Sequence, residues 1–287
     1  MTRQSVVARR AEELLGSAVV ATAPVAGGDV NTATRVKLSD GRSVLMKTHS
    51  HAPPGLFAAE ARSLRMLDAT GGLRVPEVLA VDEECLVLPW IESGKVTNEA
   101  ASTLGGALAR THLAGAGESS YGADEDGWIG RLPMPNGRLA SWPEFYATRR
   151  VLPYLRLARE RGAVTEDETT AIEGLLSRLG ELVPDEPPAV LHGDLWNGNV
   201  LWAADGRPAA IDPAAYVGHR EVDLAMLALF GLPQLPRVLE AYQAVAPLAD
   251  GFEDRFRVHQ LFPLLVHACM FGGGYGARAA AAALSYR

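Results

Sequence analysis

The chain has 287 residues, of which 48% are hydrophobic and 21% are charged, proportions that are ordinary for a globular protein. Its net charge of −7 argues against a nucleic-acid-binding surface, because clustered Lys and Arg hold phosphate backbones. The N-terminus shows no apolar signal core and no segment reaches the ~18 apolar residues of a membrane span, so we expect a cytoplasmic protein without a membrane partner.

The first elements of the chain predict a helix followed by strands. Apolar residues at helical spacing predict a helix over 3–16, and the pattern changes to strands from 18 to 47. Asp40-Gly41 is a two-residue hairpin signal, and the return strand 43–46 is followed directly by Lys47.

A second helix and two more strands complete this region. A Pro-Pro-Gly break precedes a helix predicted over 56–67, which carries Glu60. Apolar runs at 75–81 and 85–90 predict two further strands. We therefore assign residues 1–90 to an N-terminal lobe, a small antiparallel sheet with one helix packed on it.

Residues 91–287 predict a larger and mostly helical lobe. Its predicted elements are a linker at 91–94, a helix from 97, a long Gly- and Pro-rich loop over 115–137, helices over 142–161 and 166–182, a strand cluster over 188–212, and helices from Glu221 to the end.

Three polar side chains follow short apolar runs within the strand cluster. The stretch from Val190 reads VLHGDLWNGN and contains Asp194 and, five residues later, Asn199. A later apolar run ends at Asp212. Asp and Asn separated by four residues is the spacing of the kinase catalytic loop. A turn between strands uses the same residue types, but His192 and Asp212 together with the flanking runs favour the catalytic interpretation.

Phosphoryl transfer from ATP explains these residue types. The reaction needs an acceptor hydroxyl in line with the γ-phosphate and metal ions that neutralise charge on its oxygens. We expect Asp194 to accept the hydroxyl proton, and Asn199 and Asp212 to ligate Mg²⁺, which prefers oxygen donors. His192 is predicted to brace the loop.

The N-terminal lobe offers contacts for the nucleotide. Lys47 is predicted to bind the α- and β-phosphates, oriented by an ion pair with Glu60. The turn Gly27-Gly28-Asp29 is predicted to cover the phosphates, although it lacks the G-x-G-x-x-G form. Each feature alone is typical of a solvated side chain or an ordinary hairpin, and only their order along the chain favours this function.

The adenine is expected to bind backbone atoms where the lobes join, at Leu88, Pro89, Trp90 and Ile91. Pro89 has no N–H, so Ile91 is the expected donor. A strand lobe, a linker and a helical lobe with a strand-borne catalytic loop predict an α+β, bilobal, protein-kinase-like fold. Only ten residues separate Asp212 from Asp223, too few for the activation segment that orders a peptide, so we expect a small-molecule acceptor.

Several longer motifs lie around these residues. They are HGDLWNGN at 192–199, DPA at 212–214, YVGHREVDLAM at 216–226, LFG at 229–231, FGGGY at 271–275 and WIG at 128–130. In these motifs the sequence resembles the fructosamine kinase (ketosamine kinase) family, within the aminoglycoside phosphotransferase-like branch of the kinase fold. The resemblance covers nearly the whole chain.

This resemblance implies an ATP- and Mg²⁺-dependent kinase that phosphorylates the 3-hydroxyl of a ketosamine, free or on a glycated protein, as a deglycation step. It places Trp196 against the sugar, with a core tryptophan as the alternative interpretation. His219 and Arg220 would border the pocket, with simple ion pairing as the alternative. Asp223 is predicted to accept backbone N–H bonds from the catalytic loop. We expect a monomer.

Two other functions remain open at this point. One is another small-molecule kinase of the same fold, acting on an aminoglycoside, choline or homoserine; the GHRE and FGGGY motifs count against it. The other is a nucleotide-binding pseudokinase, which the intact set of Lys47, Asp194, Asn199 and Asp212 argues against.

The two cysteines, Cys85 and Cys269, both lie in apolar runs and are predicted to be buried free thiols. Some members of the resembled family carry a cysteine in the glycine-rich turn, where this chain has Asp29. We therefore expect no thiol switch at that turn.

Overall fold

The computed structural model describes residues 3–26 and 31–286. Its first part is helix α1 followed by a five-stranded antiparallel sheet of order β1-β2-β3-β5-β4, with helix α2 inserted between β3 and β4. The elements are α1 (Arg3–Leu15), β1 (Val19–Val25), β2 (Thr32–Leu38), β3 (Ser43–Thr48), α2 (Leu56–Asp68), β4 (Ala80–Val81) and β5 (Cys85–Pro89).

The β2–β3 hairpin forms around Asp40-Gly41, as the sequence predicts, but its connection is longer than two residues, because β2 ends at Leu38 and β3 begins at Ser43. Gly41 takes a positive φ of 91°, which costs glycine little, and the Asp40 carboxylate accepts the backbone N–H of Arg42 at 2.9 Å. Alternate residues of β2 point inward, so Val36 and Leu38 pack with the strands beside them and with the apolar face of α1. This packing fixes the register that carries Lys47 to the inner end of β3, opposite Leu86.

The strand predicted over 75–81 is mostly wrong, because β4 contains only Ala80 and Val81. Pro76 has no N–H to give to a ladder, and proline is confined to the margins of sheets. The residues before β4 make a single sheet-like bond, from the N–H of Leu79 to the carbonyl of Val87 at 2.9 Å.

The second part is mainly helical and carries three short two-stranded sheets. Strand β8 pairs with β11, and β9 pairs with β10, both antiparallel. The elements are α3 (Asn98–Leu113), β6 (Gly127–Ile129), β7 (Leu132–Met134), α4 (Trp142–Phe145), a π-helical turn (Tyr146–Val151), α5 (Leu152–Glu160), α6 (Glu166–Leu176), α7 (Leu179–Leu182), β8 (Ala189–Leu191), a 3₁₀ turn (Asn197–Asn199), β9 (Val200–Leu201), β10 (Ala209–Ala210), β11 (Tyr216–Gly218), α8 (Glu221–Leu229), α9 (Leu235–Val245), α10 (Phe252–His259), α11 (Leu261–Phe271) and α12 (Tyr275–Leu284).

Three predicted elements of this part are corrected by the structure. The loop predicted over 115–137 contains the hairpin β6–β7. The helix predicted over 142–161 is interrupted by the π-helical turn, in which the N–H of Leu152 bonds to the carbonyl of Ala147, five residues back. Pro153 follows directly and has no N–H to offer, and a local change of helical pitch is one way to accommodate that loss. The helix predicted over 166–182 is divided into α6 and α7.

The linker and helix α2 connect the sheet to the mainly helical part. Phe57 and Leu64 of α2 are buried in one core cluster with Leu104 and Leu108 of α3. In the linker, the N–H of Gly94 donates to the carbonyl of Trp202 at 2.5 Å, which anchors the linker to the chain beyond β9. The shared core holds the sheet in a fixed place above the strand cluster. The division into lobes at residue 90 stays a prediction.

Within residues 3–26 and 31–286, each helix is too short or too polar to cross a membrane.

Candidate active site

A cavity of about 920 Å³ lies between the sheet and the helical part. Residues from both parts line it, and most of the predicted site residues are among them: Lys47, Glu60, Leu88, Pro89, Trp90, Ile91, Asp194, Trp196, Asn199 and Asp212. Gly27 and Gly28, predicted to cover the phosphates, lie outside the described residues. The cavity therefore brings together most of the residues to which the sequence assigns a chemical role.

Lys47 stands between two carboxylates on opposite sides of the cavity. Its Nζ lies 2.5 Å from Oε1 of Glu60 on α2 and 2.6 Å from Oδ1 of Asp212. Burial by itself would lower the pKa of Lys47, but the two neighbouring anions outweigh it and raise the pKa above its usual range. Lys47 is thus a permanently charged group positioned for an anionic ligand.

Asp212 is held in a backbone conformation that is uncommon for a residue with a side chain. Its φ is 56°, in the left-handed region where Asn and Asp are the most tolerant residues after glycine. The preceding residue, Ile211, donates its N–H to the carbonyl of Asn199 at 3.0 Å. This bond joins the two loops that carry Asn199 and Asp212 and aims the half-exposed carboxylate of Asp212 at the cavity.

Asp194 and Asn199 are bonded directly to each other. Nδ2 of Asn199 donates to the backbone carbonyl of Asp194 at 2.7 Å and to its Oδ2 at 3.1 Å. The donor end of the amide is therefore committed, and its oxygen is the end that can ligate a metal. Burial, and next the carboxylate of Asp212, raise the pKa of Asp194 well above its usual range. A raised pKa makes a carboxylate a stronger base, as general-base catalysis requires.

The buried carboxylate of Asp223 binds the backbone of the loop that carries Asp194. Asp223, in the first turn of α8, accepts the backbone N–H groups of His192 at 2.7 Å and Gly193 at 3.0 Å. It also lies 3.2 Å from Nε2 of His112, whose other ring nitrogen is 2.8 Å from the Tyr242 hydroxyl. Burial alone would raise the pKa of Asp223, but these hydrogen bonds lower it below its usual range. The predicted hydrogen bonds from the loop backbone to Asp223 are confirmed. The contact with His112 was not predicted, because the sequence shows only a histidine on an apolar face of a helix.

His192 braces the loop, as the sequence predicts. Its ring lies 2.9 Å from the carbonyl of Ile211 through Nε2, and its Nδ1 lies 3.2 Å from the N–H of Asp194. Because a carbonyl only accepts, the proton belongs on Nε2 and Nδ1 accepts the N–H of Asp194. Burial lowers the pKa of His192, so the ring stays neutral in this arrangement.

Trp196 covers the outer side of the loop. Its indole lies so close over Gly198 that a Cβ there would come within 2.3 Å of the ring. The side chain is half-buried, lines the cavity and meets the ring of Phe230 edge-on at 5.9 Å. Trp196 is therefore partly packed against the protein and partly open to the cavity, and its contact with a sugar stays a prediction.

The far end of the cavity is lined by the residues predicted for adenine. The backbone N–H of Trp90 donates to the carbonyl of Ser43 at 3.0 Å, and Pro89 has no backbone N–H. The backbone N–H of Ile91 is therefore the expected donor to the adenine. The guanidinium of Arg35 stacks 4.5 Å above the Trp90 ring, which steadies this edge.

The prediction that His219 and Arg220 border the pocket needs correction, since neither lines the cavity. His219 is fully buried and stacks on His259, with ring centroids 5.0 Å apart. Arg220 forms a bidentate ion pair with Glu186, at 2.6 and 2.7 Å. Arg220 therefore forms an ion pair, which was the alternative interpretation. The side chain of His219 is part of the core.

His219, Glu221 and His259 form a buried cluster whose ligand atoms lie within 4.8 Å of one another. The two imidazoles are stacked with only 20° between their planes, so their in-plane lone pairs do not converge on one point. Arg255 occupies both oxygens of Glu221, at 3.1 and 3.0 Å. The cluster is suited to joining β11 and α8 to α10 and is poorly suited to a metal ion.

Oxidation is expected to leave the protein largely unaffected. Cys85 and Cys269 are both buried, and burial raises the pKa of Cys85 to about 12 and that of Cys269 to about 11. Because the thiolate is the reactive form, native protein should show no fast-reacting thiol with a disulfide reagent, and both should react after denaturation. A disulfide-linked dimer on a non-reducing gel that disappears in Cys85→Ser would contradict this.

Comparison with known proteins gives the same assignment as the geometry. Residues 3–285 match the model of the family described as Fructosamine kinase. The chain is 41% identical over 253 residues to a protein of Thermus thermophilus named probable ketoamine kinase, with 88% of both chains covered. A solved structure from Thermobifida fusca, named as a candidate fructosamine-3-kinase, is 48% identical with a TM-score of 0.91 over 97% of both chains. A macrolide 2'-phosphotransferase shares only the fold, at 20% identity and a TM-score of 0.65, with 99% of this chain and 97% of the other covered.

Proposed function

The chain belongs to the fructosamine kinase family, and on that premise we propose that it transfers the γ-phosphate of ATP to the 3-hydroxyl of a ketosamine. A kinase acting with ATP is the activity of this family and fold. The acceptor, its hydroxyl and the role of each residue are the parts that we propose.

One observation supports the proposal above the others. The cavity brings a carboxylate with a raised pKa, Asp194, together with Asn199 and Asp212 on one side and the Lys47–Glu60 pair on the other. A base, two oxygen ligands and a cation for phosphate are the set that phosphoryl transfer requires.

The proposed roles follow from the contacts. Lys47 holds the phosphates, with Glu60 fixing its direction, and the backbone near Ile91 receives the adenine. Asp194 accepts the proton of the attacking hydroxyl as the hydroxyl oxygen bonds to the γ-phosphorus. The bond from that phosphorus to the β–γ bridging oxygen breaks, and ADP leaves. Its anchoring by Asn199 and the bracing of the loop by His192 keep Oδ2 from turning away.

The donors also fit Mg²⁺. Asp212 has one carboxylate oxygen paired with Lys47 and therefore a second one to offer, and the amide oxygen of Asn199 is the free end of that side chain. Hard oxygen donors of this kind, one anionic and one neutral, suit Mg²⁺ bound together with phosphates. Mg²⁺ would neutralise the charge on the phosphate oxygens as they transfer.

We expect Asp212→Asn to raise the Mg²⁺ concentration for half-maximal activity by about tenfold or more, because it removes one negative charge from the site. The substitution keeps a residue type that tolerates a φ of 56°, so the backbone of the loop should keep its conformation. Asn199→Ala removes a neutral oxygen and should cause a smaller increase. A magnesium titration of both variants checks this, and an unchanged curve for Asp212→Asn would remove its assigned role.

The sugar is proposed to lie against Trp196. Its indole lines the cavity two residues beyond Asp194, where a flat apolar face suits the C–H side of a small sugar. Trp196→Ala should therefore raise KM for the acceptor by about tenfold, equivalent to ~1.4 kcal/mol, and should leave ATP binding intact.

ADP release across a substrate panel tests the proposed function. The panel contains fructose- and ribulose-derived ketosamines, an aminoglycoside and choline, each with ATP and Mg²⁺. We expect turnover with the ketosamines and little with the others. A clear preference for the aminoglycoside or choline would leave the kinase fold standing and overturn the ketosamine acceptor. ADP release with no acceptor at all would indicate hydrolysis only.

The remaining proposals concern the setting of the reaction. The phosphorylated ketosamine is proposed to break down and free its amine, which makes the reaction a deglycation step. ATP as the donor supports a cytoplasmic location, as do two reduced, buried thiols. We propose a monomer, which light scattering of the purified protein can check.

A further inference from the structure

A row of aromatic rings leads away from the catalytic loop along the cavity. Trp196 meets Phe230 at 5.9 Å between ring centroids, Phe230 meets His267 at 4.8 Å, and His267 meets Phe271 at 5.5 Å. Trp196, His267 and Phe271 all line the same cavity as Asp194. We call this row, from Trp196 to Phe271, the aromatic row. It extends past the residues that the phosphoryl transfer uses.

The outer end of the row is open to solvent. Phe271, the last residue of α11, has 47% of its surface exposed, although large apolar side chains are usually well covered. Gly272 follows with φ 66° and ψ −119°, a conformation that side chains rarely permit, and it turns the chain sharply after Phe271. The ring is therefore held at the rim of the cavity by the end of a helix rather than buried among its neighbours.

A further aromatic residue of the cavity lies on a hairpin that is bonded to the end of α11. Trp128 of the β6–β7 hairpin lines the cavity, and Arg131 in the hairpin turn donates to the carbonyl of Met270 at 3.0 Å. This bond holds the hairpin beside the end of α11, and both Trp128 and Phe271 line the same cavity.

We propose that the aromatic row binds the substituent on the nitrogen of the ketosamine and selects amines whose substituent is an apolar chain or ring. This inference rests on the proposed function. The reacting hydroxyl must lie within hydrogen-bond reach of Asp194, which places the sugar at Trp196. The part of the substrate that extends beyond it then meets His267, Met270 and Phe271, which offer apolar surface. The (CH₂)₄ stem of a glycated lysine and the ring of an aromatic amine both belong to this class.

A comparison of three ketosamines of one sugar tests the proposal. They carry methylamine, benzylamine and Nα-acetyl-lysine, and the readout is kcat/KM from ADP release. The wild-type protein should prefer the benzylamine and acetyl-lysine adducts over the methylamine adduct by about tenfold, which corresponds to the burial of about two methylene groups. In Phe271→Ala the preference should fall to about threefold or less, and in Phe271→Leu most of it should remain.

Leu284→Ala serves as the matched control. Leu284 is 40% exposed, also near the end of a helix, and does not line the cavity, so its truncation should leave the preference at the wild-type ratio. Equal kcat/KM for the three adducts in the wild-type protein would overturn the inference and leave the ketosamine kinase standing. An undiminished preference in Phe271→Ala would do the same. Failure to turn over any of the three adducts would instead overturn the proposed function and this inference with it.

Discussion

Asp194→Asn is expected to lower kcat by about 10²–10⁴, the range associated with loss of a general base. The asparagine has the same shape and can keep a bond to Asn199, but its amide cannot accept the hydroxyl proton. Asp194 forms no hydrogen bond with Lys47, which pairs with Glu60 and Asp212, so the affinity for ADP, measured by calorimetry, should stay near that of the wild type.

The pH dependence gives a second readout for the same variant. Because the pKa of Asp194 is raised, the base is lost by protonation as the pH falls through that raised value, and kcat/KM of the wild type should fall with it. This acidic limb should be absent in Asp194→Asn. Asp205→Asn, on the exposed turn between β9 and β10, is the matched control and should keep both the rate and the limb. Near-full turnover in Asp194→Asn would show that the base has been misassigned.

Asp223→Asn is expected to lower the free energy of unfolding by about 3 kcal/mol, the upper end of the cost of leaving a buried polar group without its hydrogen-bond partner. One carboxylate oxygen becomes an NH₂ group that faces donors, so either His192 or Gly193 loses the acceptor for its backbone N–H. The loop that carries Asp194 loses an anchor at the same time, so kcat should fall as well. Chemical denaturation and ADP release measure the two effects.

Asp254→Asn separates this role from that of an ordinary helix N-terminal acid. Asp254 also lies in the first turn of a helix, α10, but is exposed, so its substitution should cost only the ~0.3–1 kcal/mol of a helix-dipole interaction. Since the pKa of Asp223 is lowered, its contribution is present above about pH 4 and is lost as the pH falls through the folded-state value. Equal losses in the two variants would reduce Asp223 to a helix-terminal charge.

The amino-acid sequence by itself determined the order of the chemical groups and the local elements that carry them. The β2–β3 hairpin follows from Asp40-Gly41, and the catalytic loop follows from the spacing between Asp194 and Asn199. Such features depend on residues close in the chain, whose conformational preferences act without help from distant contacts. The family resemblance rests on the same short-range motifs and was correct for that reason.

The tertiary structure decided which of these groups meet and which are drawn elsewhere. His219 and Arg220 stand in a motif of the family, yet one packs into the core against His259 and the other pairs with Glu186, because partners far along the chain are available to each. Lys47 and Asp212, separated by 165 positions, meet at 2.6 Å only because the shared core holds the sheet above the strand cluster. Three rings of the aromatic row, Trp196, Phe230 and Phe271, lie in the motifs at 192–199, 229–231 and 271–275, but those motifs do not predict that the rings form one row. The rings come from the catalytic loop, the residue after α8 and helix α11, and only the packing of these parts places them side by side.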